Sequence, residues 1–66
     1  MKNNIRIQRA ILNITQQQLA EQIGVSRQTI NAMESNKYVP STVLALKIAK
    51  LFEKQVEEIF LLEEED

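Results

Sequence analysis

Between Ser26 and Asn31 the chain sets out five polar side chains, Ser26, Arg27, Gln28, Thr29 and Asn31, interrupted only by Ile30. A guanidinium offers a planar fork of N–H donors, and each primary amide offers a donor beside an acceptor. These paired groups match base edges in the major groove of DNA: Arg bonds guanine O6 and N7, and Gln or Asn bonds adenine N6 and N7. Each good bidentate pair discriminates by about 1–3 kcal/mol. The apparatus of covalent catalysis is missing, because the chain has no Cys and no His and so no Cys–His or Ser–His–Asp constellation. The acidic residues crowd towards the last quarter of the chain rather than converging on a pocket, so no enzyme activity, no metal and no cofactor is expected.

The polar run needs a rigid element behind it, and the sequence supplies one. Ser26 is a good N-cap, and Val25 with Ile30 has the spacing of a hydrophobic staple, which predicts a helix from Arg27 to about Glu34. Just upstream, Thr15 and Gln18 form a capping-box pair and Ile14 and Leu19 a second staple. A helix starting there buries Leu19, Ala20 and Ile23 and stops at Gly24, a residue suited to a left-handed helix C-terminus. Only Val25 separates that glycine from Ser26. Two short helices joined so tightly cross steeply, as in a helix-turn-helix.

Three further helices complete an all-α reading. Ile7, Ala10, Ile11 and Ile14 follow the i, i+3, i+4, i+7 pattern and predict a first helix over about residues 4–12, with that stripe facing the core. Asn36-Lys37-Tyr38-Val39-Pro40 reads as a loop, after which Ser41 caps a fourth helix with Leu44, Ala45, Ile48, Ala49 and Phe52 inside. A fifth helix over about 55–60 presents Val56, Ile59 and Phe60, with a poorly signalled start. Leu61 and Leu62 extend it or form a short strand, and Glu63-Glu64-Glu65-Asp66 reads as a frayed end. The expected organisation is one binding domain over residues 1–60 and an acidic tail over 61–66.

The formal net charge of −1 conceals a division. Residues 1–52 carry seven basic residues against two acidic, a net of +5, whereas residues 53–66 carry one basic against seven acidic, a net of −6. A basic binding module with an acidic end fits this asymmetry. The longest apolar runs are four residues, far short of the ~20 a membrane helix needs, and the start of the chain does not read as a signal peptide. No membrane partner and a cytoplasmic location are expected. A 66-residue domain buries only about 60% of the surface its unfolded chain exposes, which makes oligomerisation a natural reinforcement.

The segment Thr15 to Lys37, then Pro40-Ser41 and Ala45-Leu46-Lys47-Ile48-Ala49, resembles the lambda-repressor-like regulators of the Cro/repressor and xenobiotic-response-element type. The resemblance covers about Ile5 to Phe60 and is nearest to very short stand-alone dimeric members. It implies a five-helix DNA-binding fold with a role in transcription, double-stranded DNA as partner, and the helix at 26–33 as the element that enters the major groove. Ser26, Arg27, Gln28, Thr29 and Asn31 are then the expected base contacts. Ala32 matches a further contact position but is too short to hydrogen-bond. Gln16 and Gln17, at the start of the second helix, and Asn36, Lys37 and Tyr38, in the following loop, match positions that hold the DNA backbone, contacts that set register without reading sequence.

The resemblance also pairs Arg9 with Glu34 as a structural ion pair between the first and third helices. One recognition helix reads few bases, and such proteins bind as dimers to half-sites about 34–36 Å apart. Leu51, Val56, Leu61 and Leu62 are the expected homodimer surface, with Ile59 and Phe60 shared between it and the core. The expected function is a palindrome-binding homodimeric regulator, acting as a repressor. The alternative is an antitoxin, in which DNA binding serves autoregulation and another surface holds a protein partner.

Overall fold

The computed structural model describes all of residues 1–66. Its elements run β1 (Lys2–Asn3), α1 (Ile5–Leu12), α2 (Gln16–Ile23), α3 (Arg27–Glu34), α4 (Thr42–Phe52), α5 (Val56–Ile59) and β2 (Phe60–Leu61). The five helices enclose one core of Ile5, Leu19, Ala20, Ile23, Ile30, Met33, Leu44, Ile48, Ala49, Phe52, Ile59 and Phe60. β1 and β2 form a small antiparallel ribbon with Lys2 opposite Leu61 and Asn3 opposite Phe60.

Local chemistry sets the helix boundaries. Thr15 accepts from the Gln18 amide at 3.0 Å while Gln18 Oε1 accepts from the Thr15 N–H at 2.8 Å, closing the capping box that starts α2. Gly24 ends α2 at φ 76°, and its N–H bonds the Ala20 carbonyl. Ser26 accepts from the Thr29 amide at 3.2 Å to start α3, and Ser41 does the same for Leu44 to start α4. Helix α5 has an entry signal that the sequence reading missed: Glu58 reaches back to accept from the Gln55 N–H at 2.9 Å. The preceding turn has Glu53 at φ 56°, a left-handed position held by a residue other than glycine.

The face of α1 is corrected. Ile7 and Ile11, expected in the core, are 60% and 68% exposed, and Ala10 is also exposed. The inward face is Ile5, Gln8 and Arg9, with only Ile5 fully buried. This set has the same helical spacing as the expected stripe, and polar bonds hold it. The Asn4 N–H donates to the Ile59 carbonyl at 3.0 Å, Asn4 Nδ2 donates to the Glu58 carbonyl at 2.8 Å, and Arg9 reaches Glu34.

The acidic end, expected to fray, folds into a turn against the start of the chain. Glu63 and Asp66 close a turn through two mutual hydrogen bonds, Glu63 N–H to Asp66 Oδ2 at 2.8 Å and Asp66 N–H to the Glu63 carbonyl at 3.0 Å. The Met1 ammonium lies 3.2 Å from Glu63 and 3.1 Å from Asp66, because the ribbon brings residue 2 beside residue 61. Those two carboxylates raise the pKa of the Met1 amine above its ordinary value of 8.0.

Candidate nucleic-acid interface

Helix α3 divides cleanly between core and surface. Ile30 and Met33 are fully buried, which fixes the helix against the body and turns Arg27, Gln28 and Asn31 outwards, all three exposed. Ser26 is exposed and Thr29 half-buried. These two side chains are partly occupied with each other: their hydroxyl oxygens are 2.9 Å apart, and Ser26 Oγ also caps the Thr29 amide. The outward face therefore offers one guanidinium and two amides, with a pair of hydroxyls at the helix start. Ala32 is half-buried and carries no polar group.

The flanking segments are held in place by contacts that sequence patterns do not display. Asn3 of β1 donates from Nδ2 to the Met33 carbonyl at 2.8 Å and to Asn36 Oδ1 at 3.3 Å. Asn36 sits at φ 60°, a left-handed conformation that Asn tolerates better than most residues. With its Oδ1 engaged by Asn3, the Asn36 amide turns its N–H donors elsewhere. Lys37 follows, exposed, with its N–H on the Ala32 carbonyl at 2.8 Å. Tyr38, 44% exposed, lines a groove with Gly24, Val25, Ser41 and Val43. Gln17 is exposed and Gln16 half-buried at the start of α2.

Arg9 and Glu34 form a bidentate pair: Nε donates to Oε2 at 2.6 Å and Nη2 to Oε1 at 3.0 Å. The remaining Arg9 nitrogen, Nη1, donates to the Ile14 carbonyl at 3.0 Å, which ties the α1–α2 turn to α3. The Glu34 side chain is 1% exposed. Gln16 Nε2 donates to Glu34 Oε1 at 3.0 Å, and Arg6 Nε lies 3.5 Å from the same oxygen. Burial pushes the Glu34 carboxyl up, but the bonds from Arg9 and Gln16, with the positive charge of Arg9 and the contact from Arg6, hold its pKa below the ordinary glutamate value of 4.5.

Of the residues expected at a dimer surface, Ile59 is fully buried and Phe60 7% exposed. Both are used by the core of a single chain and have no surface to share. Leu61 and Leu62 are 46% and 82% exposed, and Leu51 and Val56 pack half-buried against the core. Sequence reasoning missed Asn3 and Arg6, since nothing in the local pattern ties a residue near the start of the chain to the end of α3.

No helix is long and apolar enough to cross a membrane, and no cluster of three or more acidic residues is placed to hold a metal ion. The chain matches the Helix-turn-helix family over residues 5–59, the span containing α1 to α5. It is 52% identical over 66 residues to a protein of Methanocaldococcus jannaschii, covering both chains completely. It is 48% identical to one of Bacillus subtilis, again over the full length of both. A protein of Archaeoglobus fulgidus is 46% identical over all of this chain and 93% of its own. Each is named an uncharacterized HTH-type transcriptional regulator. The helix pair at 16–34, the match across nearly the whole chain and these full-length relatives place the protein with regulators rather than enzymes: it belongs to the Cro/C1-type helix-turn-helix family of DNA-binding transcriptional regulators.

Proposed function

We propose that the protein is a homodimeric repressor that reads a palindromic operator through α3. The observation that carries this reading is the split of α3, with Ile30 and Met33 fully buried while Arg27, Gln28 and Asn31 project from the opposite face. A helix so anchored holds base-reading groups at low entropic cost. Arg27 reads a guanine and Gln28 or Asn31 an adenine in each half-site. Lys37, Tyr38, Gln16, Gln17 and the amide N–H donors of Asn36 hold the flanking phosphates and set the register. Two copies pair through Leu61 and Leu62, supported by Leu51 and Val56, to reach half-sites about one helical turn apart. A dimer whose site overlaps a promoter would block its use, and that is the repressor role proposed.

Fluorescence-anisotropy titration tests the reading, using the duplex upstream of the protein's own gene and a scrambled duplex at several salt concentrations. Wild type is expected to prefer its own DNA. Arg27→Ala is expected to reduce that preference by about 1–3 kcal/mol, roughly 5- to 150-fold, while keeping salt-dependent binding to both duplexes. Absence of salt-dependent binding by the wild type would overturn the proposal.

A further inference from the structure

Around the buried Glu34 carboxylate there is one more cation than the pair requires. Arg9 occupies both carboxylate oxygens and is itself only 16% exposed. Arg6, one helical turn earlier on α1, lies with Nε 3.5 Å from Glu34 Oε1, an ion pair longer than a hydrogen bond, and its side chain is 73% exposed. Two guanidiniums thus face one carboxylate, which leaves a local surplus of one positive charge on the exposed partner. Gln16 Nε2 lies on the same oxygen at 3.0 Å. A primary amide nitrogen has two hydrogens, so Gln16 can donate one to Glu34 and the other outwards. Gln16 is also the first residue of α2, where the backbone N–H groups lack helical partners.

We infer that Arg6 is a phosphodiester anchor, acting with Gln16 as a two-donor clamp on the DNA backbone at the start of α2. The inference rests on the DNA-binding reading given under Proposed function. Glu34 holds the Gln16 amide in place and draws the Arg6 guanidinium beside it without needing either for its own neutralisation. A phosphate arriving there meets a guanidinium and an amide N–H that share one carboxylate oxygen as their common support. The charge Arg6 carries is exposed and therefore accessible to a phosphate. The contact reads no base, and its contribution is the same on every sequence.

The signature is therefore in the salt dependence. Neutralising one phosphate contributes about 0.9 to the slope of log affinity against log salt. Arg6→Gln is expected to flatten that slope by about 0.9 on both the cognate and the scrambled duplex, with the preference between them unchanged. Arg6→Lys, which keeps the charge, is expected to restore the slope. Lys54→Gln, an equal loss of charge in the turn after α4, is expected to leave the slope as in wild type. Circular-dichroism melting of Arg6→Gln is expected to match wild type, since the side chain is largely exposed. A wild-type slope in Arg6→Gln, or an equal flattening in Lys54→Gln, overturns the anchor while leaving the DNA-binding reading intact. A wild type with no salt-dependent binding overturns both.

Discussion

Glu34 shows how a single buried charge can organise several elements. Its carboxylate is 1% exposed and takes donors from α1 and α2 while belonging to α3. Removing Arg9 leaves that charge without its bidentate partner, and Arg9→Ala is expected to cost about 3–5 kcal/mol in urea unfolding. The acid side of the stability curve follows from the same group. Glu34 titrates lower in the folded chain than its ordinary value of 4.5, so the unfolded chain binds the proton more readily. Its contribution is complete above that value and is lost as the pH falls through the lower, folded one. Glu34→Gln is expected to flatten the part of the pH profile in thermal melts that falls away below the ordinary value of 4.5, and an unchanged acid slope would refute the assignment. Ile7 and Ile11 make the opposite case. Both are more than half exposed, so Ile7→Lys or Ile11→Lys is expected to shift stability by no more than about 0.5 kcal/mol. Ile30→Ala, at a fully buried position, is expected to cost about 2–5 kcal/mol.

Among the elements, the α2–turn–α3 unit depends most on its glycine. Gly24 sits at φ 76° with open space where a Cβ would stand, so the penalty for a side chain is conformational rather than steric. Gly24→Ala is expected to cost about 1–2 kcal/mol, and Gly24→Asn less, because Asn visits this region more readily; equal costs would point to packing instead. This unit was legible in the sequence because its signals are local: the capping box at Thr15 and Gln18, the glycine stop, the Ser26 cap and two staples all lie within a few residues of the ends they define. The orientation of α1 was not legible. Ile5, Gln8 and Arg9 repeat with the same helical spacing as Ile7, Ala10 and Ile11, and hydrophobicity favoured the second set. The face that turns inwards does so because Arg9 finds a carboxylate 25 residues away, which no local period can display. Helix α5 was legible in place but not in its start, since Gln55 with Glu58 is a less common capping pair than Thr15 with Gln18. The outward residues of α3 follow directly from where Ile30 and Met33 must go, whereas the ties that fix the loop at 36–38 come from the other end of the chain.

At the scale of the whole molecule, the chain occupies 32 × 22 × 21 Å and presents one α3. Reading a site with half-sites about 34–36 Å apart requires a second copy. Leu61 and Leu62 are the exposed apolar residues of the ribbon end, and the carboxylates that follow them lie against the Met1 amine. On the proposed pairing through Leu61 and Leu62, wild type is expected to sediment as a dimer and Leu62→Glu, with a side chain that is already 82% exposed, as a folded monomer; a monomeric wild type would overturn the pairing. The ribbon also sets the order in which the molecule can be completed. Pairing residue 2 with residue 61 closes almost the longest loop this chain can make, and such closure is slow compared with forming a helix. Helices α2 and α3 can therefore dock early during folding, while Asn3 reaches Met33 and Asn36 only once the two ends of the chain have met. The loop beside α3, which the proposed function turns towards DNA, thus owes part of its anchoring to the joining of the two ends of the chain.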